Sequence, residues 1–176
     1  TVMSAETPPY HREFLVSASL PLAQLYIRAF NAKDSRGRHD NCFYLFECLI
    51  KLAACPLIAS YLAEVRQGGE RDGKLDRLLA QIALPSLGQW LGFLRETSRH
   101  VAKRPDVATH PLGDVWDQLN QKRSDLTGAL DLYRQIKNGP QGKVSGAKTV
   151  SLLELFGSLV QYLSLIHISE PTRPLD

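Results

Sequence analysis

Arg95 and His100, with four residues between them, have the spacing used by helical ribonucleases, in which a guanidinium holds phosphate and an imidazole handles the proton. Thirteen arginines and five histidines in 176 residues produce about one such pair by chance over the allowed spacings, so the spacing alone does not single out a catalytic pair. Arg104 and His110 have a similar spacing, with Pro105 between them, and carry a weaker signal still. Both pairs are expected on a solvated face or in a loop. The densest basic cluster is Lys33, Arg36, Arg38 and His39, around the expected start of a long helix. Positive charge at a helix N-terminus opposes the macrodipole, so local stability does not ask for it. Such a cluster suits a phosphate or an acidic partner surface. Its ordinary alternative is a solvated corner whose arginines reach acidic groups of another helix.

Three other patterns invite chemistry and lose it on inspection. Gly142-Lys143-Val144-Ser145-Gly146-Ala147-Lys148-Thr149 resembles a phosphate-binding loop, but Ala147 separates the second glycine from the lysine and no strand precedes it. A flexible interhelical connection is expected there. Cys42, Cys48 and Cys55 are six and seven residues apart, which does not gather metal ligands on a helix, and no CxxC or HxxxH companion is present. The expectation is buried free thiols in a reducing cytoplasm. Spacing supports no Ser-His-Asp set, no paired carboxylates in an apolar cleft and no EF-hand, so neither a metal nor a cofactor is expected.

The elements that position these residues are helical. Hydrophobic residues make up 44% of the chain and charged residues 22%, which excludes disorder, collagen and low complexity. A net charge of +3 is too mild to demand nucleic acid. Leu22, Leu25, Tyr26, Ala29 and Phe30 recur at three- and four-residue intervals, predicting a helix over 19–33 with Ser19 as its cap and Pro21 in its first turn. A long apolar helix is predicted from about Arg38 to Val65, with Pro56 kinking or dividing it near Leu52 to Cys55. Glu47 and Lys51 interrupt it, and a membrane span is not expected. Short and long helices follow at 75–82 and 86–104. Leu112 to about Lys137 reads as two helices or one bent near Ser124. After the glycine-rich loop 138–148, a capping box of Ser151 and Glu154 opens the last helix. No alternating strand pattern occurs. The expected fold is all-α, an irregular bundle of five to seven helices.

The C-terminal run Leu163 to Pro174 resembles a translated transposase adapter used in DNA library preparation. Residues 163–176 are therefore expected to be adapter-derived and outside the fold, with the last helix running into Leu163, Leu165 and Ile166 and stopping before Pro171. The organisation expected is a polar lead-in over 1–13, a C-terminally truncated helical bundle over 14–162, and this tail. No basic-then-apolar leader opens the chain, and a cytoplasmic protein is expected.

The segment Leu20 to Ala54 resembles a helical module near the N-terminus of large multidomain bacterial proteins, frequent in planctomycetes. The resemblance is carried by Leu20-Pro21, Leu25-Tyr26, Arg28-Ala29, Asn31-Ala32-Lys33, Arg38-His39, Phe43-Tyr44-Leu45, Glu47 and Leu49-Ile50-Lys51-Leu52. Pro85-Ser86-Leu87-Gly88 with Trp90, and Leu152, Leu155-Phe156 and Leu159-Val160-Gln161-Tyr162, add two further elements. In that family the final helix continues into a segment similar to the Arg…His signature of HEPN domains, which are helical bundles acting as ribonucleases or as non-catalytic nucleotide- or protein-binding modules. The resemblance implies a HEPN-like bundle without that motif, so no catalytic residue carries over. Arg95 and His100 lie on a different helix from it. The leading expectation is an interaction or regulatory module that binds a protein partner or the remainder of its own chain. The alternative is part of a HEPN-type ribonuclease, with RNA as partner. An independent nucleotide-binding protein stands third. Sequencing the native locus past Tyr162 separates the first two: if no Arg…His segment follows within the next turns of the last helix, the ribonuclease alternative fails.

Overall fold

The computed structural model describes residues 11–138 and 148–169, with side chains up to residue 164. Among the described residues the protein is all-α, with eight helices and no strand. The eighth helix beyond the five to seven expected is α1 (Arg12–Ser17), which lies across the boundary placed at residue 13. The chain forms two compact units, Thr1–Leu49 and Ile50–Asp176.

In the first unit α1 packs on α2 (Leu20–Phe30). The rings of Phe14 and Tyr26 meet at 5.0 Å, and the His11 N–H donates to the Tyr26 hydroxyl at 3.1 Å. Ser19 occupies the N-cap position of α2 without making the side-chain cap its type suggests, while Pro21 sits in the first turn, where its missing donor costs little. Asp34 starts α3 (Ser35–Arg66): its Oδ1 accepts the Gly37 N–H at 2.7 Å. This carboxylate at the helix N-terminus offsets the basic residues crowded there.

Of the two forms expected at Pro56, division into two helices does not occur, and α3 is one helix of 32 residues with Pro56 inside it. Pro56 lies on the exposed side, so the Leu52 carbonyl that loses its N–H partner can turn to water. By length and composition alone α3 is long and apolar enough to cross a membrane, so Glu47 and Lys51 do not by themselves exclude that; the core helix of a soluble protein meets the same criterion. In the second unit α3 buries Ile50, Ala54, Leu57, Ile58 and Tyr61, a face repeating every three or four residues.

The second unit is organised around α5 (Leu87–Ala102), which packs on α4 (Gly73–Leu79), α6 (Val115–Asn120) and α8 (Leu152–Ser169). Ser86 and Gln89 form a capping box at its start, each side chain bonded to the other's backbone N–H, at 3.3 and 2.7 Å. Phe93, Leu94 and Val101 are fully buried, each contributing about 1.5–3 kcal/mol by leaving water. Thr97 and Ser98 are equally buried, and their hydroxyls donate to the carbonyls of Phe93 and Arg95 at 2.6 and 3.1 Å, which removes the cost of burying them. The Lys51 ammonium stands 5.8 Å from the centre of the Trp90 ring, tying α3 to α5.

Leu112 to Lys137 resolves into α6 and α7 (Thr127–Asn138), the two-helix form of the expectation. Between them Arg123 and Val150 exchange backbone hydrogen bonds of 2.8 and 2.9 Å, an isolated antiparallel bridge. The capping box at Ser151 and Glu154 forms as the spacing predicts, at 3.2 and 2.9 Å, and Lys122 pairs with Glu154 at 2.6 Å. A second apolar cluster of Leu130, Tyr133, Val150 and Leu155 lies between α7 and α8. α8 continues past Tyr162 to Ser169, with Leu163 buried. The phosphate-loop candidate at 142–149 falls mostly outside the described residues.

Two glycines give opposite expectations. A Cβ on Gly113 would lie 2.0 Å from the Val107 carbonyl oxygen, in fixed backbone, whereas one on Gly128 in the first turn of α7 meets nothing within 4 Å. Gly113→Ala is expected to destabilise the protein by about 2–4 kcal/mol, and Gly128→Ala to stabilise it by about 0.5–1 kcal/mol. Urea denaturation of both variants measures this.

Candidate functional site

The last turns of α3 and α5 and the loop leading into α4 enclose a charged cleft of about 340 Å³. Its construction follows from local chain geometry. His100 lies in the last turn of α5, and Arg104 follows in the turn just past its C-cap, Lys103, where its N–H bonds to the Val101 carbonyl. Tyr61 and Glu64, three apart, share one side at the end of α3. Past Arg66 the chain turns through Gly68, whose φ of 89° suits glycine. Gly69 then presses against Glu64, since a Cβ there would stand 2.6 Å from the Glu64 Cγ. The loop thereby holds the glutamate against α5.

Glu64 Oε2 receives both His100 Nε2, at 3.2 Å, and Arg104 Nη1. Arg104 turns its remaining guanidinium edge onto Asp106, with Nε and Nη2 at 2.9 and 3.0 Å from the two carboxylate oxygens. These hydrogen bonds hold the Asp106 carboxyl below its ordinary range and raise Arg104 further. The His100 ring meets the Tyr61 ring edge-on at 5.0 Å.

Tyr61 is only 1% exposed. Its hydroxyl donates to Asp76 Oδ1 at 2.6 Å and accepts the Asp72 N–H at 3.2 Å. Burial, then the bond to Asp76, pushes the phenol upward. Asp76 is held low by the hydrogen bonds from Tyr61 and from Arg71, whose Nε lies 2.8 Å from Oδ2. Asp72 caps α4 by accepting the N–H groups of Lys74 and Leu75, at 2.9 and 3.1 Å; these bonds, that of Leu75 foremost, lower it too.

The walls carry Glu64, Glu70 and Asp72 against Arg71, Lys103 and Arg104, so the formal charges balance and the cleft sets up no field of one sign for an anionic ligand. Glu64, His100 and Arg104 are engaged with one another, which makes the arrangement a clasp between helices.

A serine–histidine pair lies nearby. Ser60 Oγ is 3.0 Å from His110 Nε2, but His110 Nδ1 accepts the Leu112 N–H at 3.1 Å. Neutral His110 therefore carries its proton on Nε2 and donates it to the serine. A nucleophile pair requires the reverse.

The residues singled out by spacing are not brought together. Arg95 points away from the clasp and bonds to Glu96 at 3.0 Å, an acid that Lys74 and Arg99 also reach, at 3.4 and 3.6 Å. Burial pushes Glu96 up, and the hydrogen bonds and charges of Lys74 and Arg95 outweigh it and leave it low. Five residues along a helix is nearly a turn and a half, which separates Arg95 from His100; Arg104 is the arginine that shares a partner with it. Arg104 and His110 likewise have separate partners, Glu64 with Asp106 for the one and Ser60 for the other. Lys33, Arg36 and Arg38 are exposed, and His39, half-buried, pairs with Asp40 at 3.4 Å. The buried thiols expected are a correction: Cys42 and Cys55 are exposed and Cys48 half-buried, because α3 turns these positions away from the core face. Among the described residues no three His, Cys, Asp or Glu side chains converge as a metal site would require.

No protein-family model, curated protein or solved structure matches the chain. Its chemistry is read from its own geometry.

Spacing reasoning missed Glu64, Tyr61, Asp76 and the Ser60–His110 pair. The i, i+3 relation of Tyr61 and Glu64 signalled a shared face of α3. Nothing in the sequence joined that face to His100 and to Arg104, in the turn beyond α5, across 36 residues and more.

The Tyr61–Asp76 bond predicts both limbs of the stability–pH curve. A carboxyl lowered by folding stabilises above about pH 4 and loses that contribution as pH falls through its folded value. A phenol raised by folding stabilises below about pH 10 and loses that contribution as pH rises through its folded value. Tyr61→Phe is expected to flatten both limbs and to cost about 1.5–3 kcal/mol at pH 7. Asp76→Asn is expected to flatten the acid limb. Denaturant titrations from pH 3 to 11 measure these changes.

Proposed function

We propose that the chain is a non-catalytic helical interaction module, a regulatory part of a larger cytoplasmic bacterial protein, and that it binds through the outer face of α3. One observation carries the reading. Between Ile50 and Ala63 the exposed positions of α3 are Leu52, Cys55, Pro56, Ala59, Leu62 and Ala63, and every one is apolar. Leu52 and Leu62 are 40% and 42% exposed. A helix with one face in the core and the other in water carries charged or polar residues outward, and a contiguous apolar strip left open marks a contact surface.

The clasp supports the non-catalytic side of the proposal. Glu64, His100 and Arg104 are engaged with one another, and the Ser60–His110 bond has the polarity of a structural contact. The resemblance of Leu20 to Ala54 supports membership of a larger bacterial protein. The basic group of Lys33, Arg36, Arg38 and His39 is read as a solvated corner.

A photo-reactive benzoylphenylalanine at position 62 is expected to yield one discrete cross-linked adduct in cells. The same group at Arg99, an exposed position on α5, is expected to yield none. Vigorous RNA cleavage by the purified chain, lost on His100→Ala, would overturn the reading in favour of the ribonuclease alternative.

A further inference from the structure

The cleft at the ends of α3 and α5 carries two charges that the clasp does not use. Lys103 and Glu70 line it, and neither side chain forms a hydrogen bond or ion pair among the described residues. The other charged groups are engaged: Glu64, His100 and Arg104 with one another, Arg71 with Asp76, and Asp72 with two backbone N–H groups. From this we propose that the cleft is a binding site for a zwitterion of the free α-amino-acid class, with its carboxylate on Lys103 and its ammonium on Glu70 and Asp72. This site is separate from the outer face of α3, so either can exist without the other.

The lining selects the charges of the ligand. Glu70 and Asp72 oppose a simple anion, and Arg71 and Lys103 oppose a simple cation. A molecule with both signs flanking one carbon meets an opposite charge at each end. Both capping bonds of Asp72 go to Oδ1, which leaves Oδ2 to accept from an ammonium. The Leu75 N–H bond chiefly holds the Asp72 carboxyl low, and the positive charge of Lys103 adds to it. No ion pair joins those two side chains among the described residues, so room for a ligand remains between them.

Size and stiffness fit the same class. A volume of about 340 Å³ lies at the lower end of the range for small-molecule sites. Among the described residues that line the cleft only Pro105 is apolar, which suits a polar side chain on the ligand. The anchors are held by the backbone: Asp72 caps α4, Lys103 is the C-cap of α5, and Glu70 follows the Gly69 pressed against Glu64. Binding then has little of the protein left to order. Lys103 and Glu70 are exposed, and exposed charge pairs are weak, so a Kd on the order of 1 mM is expected.

The test is an amide NMR titration of the full chain at pH 7 with L-glutamine, whose uncharged side chain leaves only the two α-groups charged. Saturable shifts are expected around residues 69–72 and 103. N-acetyl-L-glutamine, which lacks the ammonium, and L-glutaminamide, which lacks the α-carboxylate, are each expected to bind about tenfold more weakly or worse. Lys103→Gln and Glu70→Gln are each expected to weaken glutamine binding about tenfold. Thermal unfolding of both variants should be unchanged, since neither side chain has a partner in the free protein. The absence of any saturable shift up to about twenty times the expected Kd overturns the proposal. So does equal binding of either half-blocked compound, which makes the cleft a site for one sign of charge only. Neither failure touches the cross-link expected at position 62.

Discussion

Much of the second unit depends on a single buried phenol. Tyr61 reaches three helices at once: it sits on α3, its hydroxyl binds Asp76 of α4 and the backbone of the α4 cap, and its ring supports His100 of α5. A tyrosine so enclosed must have its hydroxyl satisfied, because an unpaired polar group there costs about 1–3 kcal/mol. The partner chosen is a carboxylate, which gives a stronger bond than a neutral acceptor and leaves Asp76 able to hold Arg71 as well. The end of α3, the cap of α4 and the last turn of α5 are thereby held to one arrangement.

The Glu64 clasp extends that arrangement. A lone glutamate between two helices would pay heavily for partial burial, and here a histidine from the last turn of α5 and an arginine from the turn that follows the helix both reach one of its oxygens. The same engagement removes these groups from chemistry. A histidine bonded to a glutamate that an arginine also occupies is a strut, and the balanced lining of the cleft draws in neither anions nor cations. Functional interest therefore moves to the outer side of α3, where the chain leaves leucine, cysteine and alanine in water although no packing inside the molecule asks for them.

The helices were legible in the residues to different degrees. α8 declared itself through its capping box and three-to-four periodicity and forms with the expected cap; α5 declared itself through periodicity alone, and its Ser86–Gln89 box emerges in the structure. α2 declared itself through its periodicity and Pro21, although Ser19 makes no side-chain bond. Pro56 left open a kink or a division, and the helix is not divided, because a proline on the exposed side of a long helix is tolerated. The cysteines misled the expectation of burial. In a helix apolar almost all round, periodicity does not distinguish the core face from the outer one. Pair spacing ignores the angle around a helix, so Arg95 and His100 have separate partners, in keeping with a spacing that arises by chance.

What the sequence by itself determined is the all-α class, the caps and breaks that delimit most of its helices, and the largely apolar character of α3 between Lys51 and Glu64, since these depend on residues within a few positions of one another. The tertiary structure decided which face of α3 is buried, that Glu64 meets His100 and Arg104, and that Ser60 accepts a hydrogen bond from His110. Those contacts join residues 36 to 50 positions apart, and the physical reason is that helix packing, which brings such residues together, is set by the shape and volume of whole faces. Single-residue spacing carries no record of it.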